Sequence, residues 1–239
     1  SIVVSKEMKQ VFGIKQAAVE PNELIRIILQ AKIDLLWSAG IGTFVKAQSE
    51  SNLDVGDRTN DAIRINAKQL RCKVVGEGGN LGLTQLARVE YAMNGGLIFT
   101  DFIDNSAGVS CSDKEVNIKI LLDAIVREGD LTQKQRNELL AQMTDEVERL
   151  VLRENYLQSR AISLMASQSM RSVVLHSRYI NELEGTGKLD RNLEFLPEEK
   201  ILMERKLMGK GLTSPGIAVL FCYSKILLKE AILSSDVPE

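Results

Sequence analysis

The sequence contains few of the residues that build metal centres and hydrolytic triads. It has one histidine, His176, and three cysteines, Cys72, Cys111 and Cys222, in 239 residues. The cysteines lie far apart and form no C-x-x-C pair, so they cannot make a zinc site alone, and their odd number favours a reducing compartment. A single histidine in a helical stretch argues against a His-rich metal site and against a chain-local Ser-His-Asp triad. We therefore predict no metal site and a cytoplasmic location.

The sequence also lacks a large excess of charge of one sign and long apolar runs. The 30 basic and 32 acidic side chains leave a net charge of −2 without any Lys/Arg block, which argues against nucleic acid as the main partner. No apolar run approaches the ~20 residues of a membrane-spanning helix, so we predict no membrane partner. The first residues lack a signal-peptide pattern and an initiator methionine, and the last ones do not form a tail. We interpret the chain as an excised segment of a longer protein.

The first half of the chain alternates between strand and helix patterns, within a composition typical of globular proteins (44% hydrophobic and 26% charged residues). Pro21 begins one predicted helix, because proline suits a first turn, and residues 84–93 form another. Residues 48–60 are predicted to form a long loop. A glycine-containing loop follows each of three predicted strands, which are residues 33–37, 72–75 and 97–100. This alternation predicts a parallel sheet, whose ligands bind beyond the carboxyl ends of the strands.

From about residue 115 the pattern is helical throughout. Apolar residues recur at helical spacing as far as Gly129, Thr132 can cap the next helix, and Pro197 and Pro215 each begin another. No strand pattern follows residue 110. We therefore predict an α/β segment over residues 1–114 and an all-α segment over residues 115–239, helix-rich overall.

The glycine loop GEGGNLG at 76–82 follows a predicted strand and precedes a helix, and Asp101 ends the next strand. This arrangement is similar to a dinucleotide fingerprint, in which glycines admit a pyrophosphate, a helix N-terminus binds it and an acid binds a ribose hydroxyl. However, Leu81 stands where the strict pattern has glycine, and Glu77 would repel a pyrophosphate. The pattern alone favours a plain strand-to-helix turn over a phosphate site.

Several stretches resemble the glutamate dehydrogenase family. KVVGEGGN at 73–80 matches its V-x-E-G-x-N strand end, and TDFIDNSAGVSCS at 100–112 matches D-x-x-x-N-x-G-G-V-x-x-S, with Ala107 in place of the first of two glycines. DLLWSAGIGT at 34–43 and VGDRTNDA at 55–62 are similar to the very large, NAD-specific bacterial branch. The helical half, with LTSP at 212–215, resembles the C-terminal region of that branch. The resemblance covers essentially all 239 residues.

The resemblance implies a fold and an activity. Residues 1–114 would be the C-terminal half of a Rossmann-like parallel-sheet NAD-binding domain, and residues 115–239 a helical C-terminal domain. The intact protein would oxidise L-glutamate to 2-oxoglutarate and ammonia with NAD as cofactor, as a homo-oligomer. In the family, the pyrophosphate loop and the catalytic lysine and aspartate lie upstream of the matching segment. We therefore assign no catalytic residue here and expect the chain alone to be inactive.

The resemblance also implies positions for site residues. Asn80, beside Gly79, matches an asparagine near the nicotinamide ribose, and Asn105 matches one in the next loop that faces the nicotinamide. Ser112 matches the serine that donates a hydrogen bond to the distal carboxylate of glutamate. The residue types suit these roles, because amides donate and accept hydrogen bonds and hydroxyls donate to carboxylates. A loop close to the adenine-side ribose is matched by Ser38, Ala39 and Gly40.

Other interpretations remain open from the sequence. Asn80 and Asn105 can be turn formers, and Ser112 can be the N-cap of a helix that begins near Asp113. The helical half can be an oligomerisation or regulatory module of a larger enzyme. A third alternative is an unrelated nucleotide binder, such as a methyltransferase with a Rossmann-like sheet.

Overall fold

The computed structural model describes residues 1–237 and begins with a small hairpin. β1 (Ile2–Val3) pairs antiparallel with β2 (Ala18–Val19), and α1 (Lys6–Phe12) lies between them in the sequence. α2 (Pro21–Leu29) follows, with Pro21 in its first turn as predicted. Three buried side chains form a small core against α2: Val4, Ile14 and Val19.

A two-stranded parallel sheet forms the centre of the first half. β3 (Leu35–Ser38) and β6 (Val74–Glu77) pair in parallel register, so both strands end at the same edge. They confirm two of the three predicted strands. The third, over residues 97–100, is wrong, since only Leu97 forms a bridge to β6. The chain leaves the sheet there because residues from Asp101 onward form a helix.

Short elements replace part of the loop predicted over residues 48–60. β4 (Val45–Lys46) pairs in parallel with β5 (Ile65–Asn66), and α3 (Asn52–Val55) and a 3-10 turn (Arg58–Asn60) lie between them. The prediction missed α3, which a reciprocal capping box between Ser51 and Asp54 stabilises. A second 3-10 turn (Ala67–Gln69) leads to β6.

The helix that follows β6 covers one face of the sheet. α4 (Gln85–Met93) begins after Thr84, whose hydroxyl oxygen accepts a hydrogen bond from the Ala87 N–H at 3.0 Å. This confirms the helix predicted over residues 84–93. The core between sheet and helix consists of Val45, Ile65, Val75, Leu83, Ala87, Tyr91 and Ile98.

Every regular element described after β6 is a helix, which confirms the helical second half. These helices are α5 (Asp101–Asp104), α6 (Ser106–Glu128), α7 (Gln133–Gln142), α8 (Thr144–Ser167), α9 (Val173–Gly185), α10 (Glu199–Leu207) and α11 (Ser214–Leu233). As predicted, Gly129 ends α6 with a φ of 89° and Thr132 caps α7. Within residues 1–237, no helix is long and apolar enough to cross a membrane.

The beginning of α6 corrects two expectations. Residues 101–108, expected as a glycine loop, are helical except at Asn105, which separates α5 from α6. α6 also runs without a break through residues 114 and 115. The predicted domain boundary therefore falls inside a continuous helix, and the division into two domains stays a prediction.

The helical half packs directly against the first half. Ile103 of α5 shares a buried core with residues of α8, α9, α10 and α11. The Gln85 side-chain nitrogen of α4 donates to the Pro215 carbonyl oxygen of α11 at 3.4 Å, and the Asn155 side chain of α8 donates to the Ile103 carbonyl oxygen at 2.8 Å. These contacts place α8 next to α5 and α11 next to α4.

Candidate functional site

The loops that follow β3 and β6 touch each other. The Gly79 N–H donates to the Ser38 carbonyl oxygen at 3.0 Å. A Cβ atom on Gly79 would lie 2.4 Å from the Gly40 carbonyl oxygen, so this close approach requires glycine. The parallel register explains the contact, because both strands deliver their loops to one edge. Gly79 therefore lies against the loop of Ser38, Ala39 and Gly40.

Asn80 and Asn105 come together from separate loops. The Asn105 side-chain nitrogen donates a hydrogen bond to the Asn80 side-chain oxygen. Both residues line an open cavity of about 710 Å³, which is within the usual range for small-molecule sites. This bond leaves the Asn80 amide nitrogen and the Asn105 amide oxygen available to a ligand.

The remaining predicted site residues lie outside this cavity. Ser112 is exposed on α6, whereas Ser110 and Asp113 on the same helix line the cavity. Because α6 begins at Ser106, Ser112 is not an N-cap, so that alternative is wrong. Its contact with substrate stays a prediction. Ser38, Ala39 and Gly40 do not line the cavity either, and they contact Gly79, the neighbour of Asn80 in the sequence.

The helical half forms the opposite wall of the cavity, which the sequence did not indicate. Helical periodicity marks buried faces, but it does not reveal which helix meets which loop. The wall residues come from α8, α11 and the segment before α10: Glu154, Gln158, Leu193, Glu194, Val219, Cys222 and Lys225.

A buried ion-pair network supports the glycine loop. Arg88 Nε and Nη2 donate to the two carboxylate oxygens of Glu77 at 2.7 and 2.9 Å, and Nη2 also lies 3.0 Å from Asp101 Oδ1. The Glu77 side chain is fully buried. Burial raises the pKa of Glu77, and the Arg88 guanidinium acts in the opposite direction. The expectation that Glu77 would repel a pyrophosphate is wrong, since the Glu77 carboxylate is paired with the Arg88 guanidinium.

The same carboxylates hold the backbone of the loop. Asp101 Oδ2 accepts from the Leu81 N–H at 2.8 Å, and Glu77 Oε1 accepts from the Leu83 N–H at 3.1 Å. Leu81 has a φ of 58°, a left-handed conformation that normally favours glycine. Leu81 therefore has a backbone conformation that glycine adopts more easily than leucine. Asp101 serves this network rather than a free ribose site.

The chain matches two known protein-family models. A model described as bacterial NAD-glutamate dehydrogenase, catalytic domain, matches residues 1–165. The chain belongs to the bacterial NAD-glutamate dehydrogenase family. A second model, described as glutamate dehydrogenase, C-terminal, matches residues 209–239. Asn80, Asn105 and Glu154 fall within the catalytic-domain match, and Lys225 falls within the C-terminal match.

Curated relatives agree with the family match. The NAD-specific glutamate dehydrogenases of Halomonas elongata and Pseudomonas aeruginosa are each 53% identical over 239 residues. That of Mycobacterium tuberculosis is 46% identical over 245 residues. Each alignment covers 100% of this chain and 15% of the relative. The chain thus spans about 15% of the length of these glutamate dehydrogenases.

One further acidic residue, Asp104, contacts the backbone where β6 ends. Asp104 Oδ2 accepts a hydrogen bond from the Glu77 N–H at 2.9 Å. Burial raises the pKa of Asp104 to about 6, and the Glu77 and Asp101 carboxylates act in the same direction. Between the unfolded pKa and about 6, the folded chain holds a proton that the unfolded chain releases. The free energy of unfolding therefore falls as the pH rises through this interval.

We expect Asp104→Asn to stabilise the chain above pH 6. Asparagine keeps an oxygen for the Glu77 N–H but removes the partly buried charge, for a gain of up to about 3 kcal/mol near pH 7.5. The gain should shrink as the pH falls from 6 to 4, because the folded Asp104 takes up a proton in this interval. Urea unfolding of both chains from pH 4 to 8 measures it, and a difference that does not change with pH would contradict the expectation.

Proposed function

We propose that a protein containing this chain is an NAD-dependent glutamate dehydrogenase, which oxidises L-glutamate to 2-oxoglutarate and ammonia. The observation that carries the proposal is the pair Asn80 and Asn105, which meet in one cavity inside the catalytic-domain match. NAD, when bound, accepts the hydride. The proposal rests also on the three relatives, which are named NAD-specific glutamate dehydrogenases.

Asn80 and Asn105 would hold the nicotinamide portion of NAD. Their free amide nitrogen and oxygen supply one donor and one acceptor, which suit the ribose hydroxyls and the carboxamide. The ion pair of Arg88 with Glu77 and Asp101 would fix Asn80 in place, because the two carboxylates accept hydrogen bonds from the backbone that follows Asn80. Gly79 would allow the loop of Ser38, Ala39 and Gly40 to pack against the glycine loop, and this neighbouring loop would lie close to the adenine-side ribose of NAD.

The parallel sheet supports a Rossmann-like nucleotide domain of which residues 1–114 are the C-terminal half. Parallel sheets are covered on both faces and usually have more than two strands. Here only one face is covered by α4, while Trp37 on the other face is 56% exposed and lies across Gly76 and Gly78. The outer edge of β3 pairs with no strand among residues 1–237. Further strands and helices of the same protein would cover this face and edge.

Two finer parts of the proposal rest on the family resemblance. Ser112 would donate a hydrogen bond to the distal carboxylate of glutamate, once other parts of the protein close over α6. The intact protein would be a homo-oligomer, and α8 offers exposed apolar side chains for such contacts, including Leu152, Tyr156 and Leu164. Light scattering on the full-length protein measures the number of copies.

Glutamate-dependent NADH formation tests the proposal. The full-length protein should form NADH from NAD with L-glutamate, and D-glutamate serves as the control substrate. The 239-residue chain alone should form none, because no residue in it is assigned to the proton transfers. A full-length protein that is folded but does not reduce NAD would overturn the proposed function. Turnover by the chain alone would overturn the assignment of catalysis to other segments.

A further inference from the structure

Lys225 projects into the cavity from the helical half. It lies on α11 and lines the same cavity as Asn80 and Asn105. Its ammonium nitrogen donates to the side-chain oxygen of Gln158 on α8 at 2.9 Å and lies 5.9 Å from the centre of the Phe221 ring. Both neighbours are uncharged, so they orient the ammonium group without neutralising it.

The other basic side chain of the cavity wall is already neutralised. Arg88 is buried between the carboxylates of Glu77 and Asp101, with all three contacts at 2.7–3.0 Å. In contrast, no carboxylate oxygen among residues 1–237 lies within 4.0 Å of the Lys225 nitrogen. Lys225 is therefore the cavity cation that no carboxylate of the described residues contacts directly.

Most acidic side chains of the cavity wall have partners of their own. Glu154 pairs with Lys114 at 2.7 Å and accepts a hydrogen bond from Ser110. Glu194 accepts a hydrogen bond from the Tyr223 hydroxyl at 2.8 Å. Asp113 is exposed at the surface of α6, and its charge acts against an anion placed beside it. The hydrogen bonds from Lys114 and Ser110 are the main causes that lower the pKa of Glu154, and the Lys225 charge adds a smaller effect in the same direction. Because Glu154 already has two closer partners, an anionic group is favoured at the Lys225 end of the cavity.

We propose that Lys225 binds an anionic oxygen group of the molecule that fills this cavity, either a carboxylate of glutamate or a phosphate of NAD. The inference rests on the proposed function, and it assigns the helical half a direct part in ligand binding. Lys225 would act as a binding residue that selects anionic ligands, with Gln158 and Phe221 holding its side chain in position.

Steady-state kinetics of the full-length protein test the inference. Lys225→Met should raise KM about ten-fold or more for the ligand whose anion it binds, because a hydrogen bond to a charged group is lost. The kcat should change little, since binding is lost equally in the ground and transition states. A rise in KM for glutamate assigns the carboxylate, and a rise in KM for NAD assigns the phosphate. Lys225→Arg, which keeps the charge, should restore most of the affinity.

Lys229 provides the matched control. It lies one turn further along α11, is exposed and does not line the cavity, so Lys229→Met should leave both KM values unchanged. Unchanged KM values in Lys225→Met overturn the inference alone, as does a rise that Lys225→Arg fails to reverse. A wild-type protein that neither binds NAD nor oxidises glutamate overturns the proposed function, and the inference with it.

Discussion

Replacement of Arg88 by methionine is expected to lower the free energy of unfolding by about 3–5 kcal/mol, the usual cost of removing one partner of a buried ion pair. The fully buried Glu77 carboxylate would lose its two hydrogen bonds from the guanidinium, and Asp101 would lose its cation. A typical domain has a stability of only about 5–15 kcal/mol, so this loss is a large fraction of the total free energy of unfolding. Urea unfolding of the 239-residue chain measures the loss.

Two variants separate the buried pair from a general loss of charge. In the double variant Glu77→Gln with Arg88→Met, the fully buried carboxylate is gone while Asp101 still lacks its cation, so part of the lost stability should return. Arg149, which pairs with Glu146 on the exposed side of α8, is the surface control. Arg149→Met should leave the free energy of unfolding unchanged, because exposed ion pairs contribute little to stability. An Arg88→Met chain as stable as the wild type would contradict the role assigned to this network.

Replacement of Asn80 by alanine is expected to weaken NAD binding about ten-fold in the full-length protein, which corresponds to roughly 1.4 kcal/mol. The variant loses an amide that can donate to the nicotinamide portion, and it also loses the hydrogen bond that orients Asn105. Stability should change little, because the Asn80 side chain is exposed. Isothermal titration with NAD measures the affinity, and NADH formation measures the turnover.

Asn137 gives a matched control for Asn80. It is exposed on α7 and does not line the cavity, so Asn137→Ala should bind NAD as the wild type does. Affinity and turnover that stay unchanged in Asn80→Ala would argue against the cofactor assignment. They would favour the alternative in which Asn80 only forms a turn.

Local patterns predicted most of the regular structure. Two strands were found because short apolar runs end at glycines, and α4 was found because Thr84 precedes a helical apolar spacing. The run at 97–100 was also apolar, yet only Leu97 pairs with β6, since the helix that begins at Asp101 takes the chain out of the sheet. The glycine and alanine between Asn105 and Val109 indicated a loop. Packing of α6 on α8 keeps this stretch helical instead.

Prediction of the site depended on two kinds of information. Asn80 and Asn105 were found through family motifs, and the structure brings their amides into contact. Leu81 departs from the glycine pattern, and its backbone nevertheless has a left-handed conformation. The hydrogen bond from its N–H to Asp101 supports this conformation. No local pattern connects Arg88 to Glu77 and Asp101, because that contact forms only when α4 packs on the sheet.

The sequence by itself determined the family, the helical second half and the two asparagines of the cavity, since short motifs and apolar periodicity are properties of neighbouring residues. Only the tertiary structure decided that α8 and α11 form a wall of the cavity and that Lys225 faces it with no carboxylate of residues 1–237 in direct contact. The physical reason is that periodicity reports which face of a helix is buried. The partner of that face is selected by the packing of residues far apart in the chain.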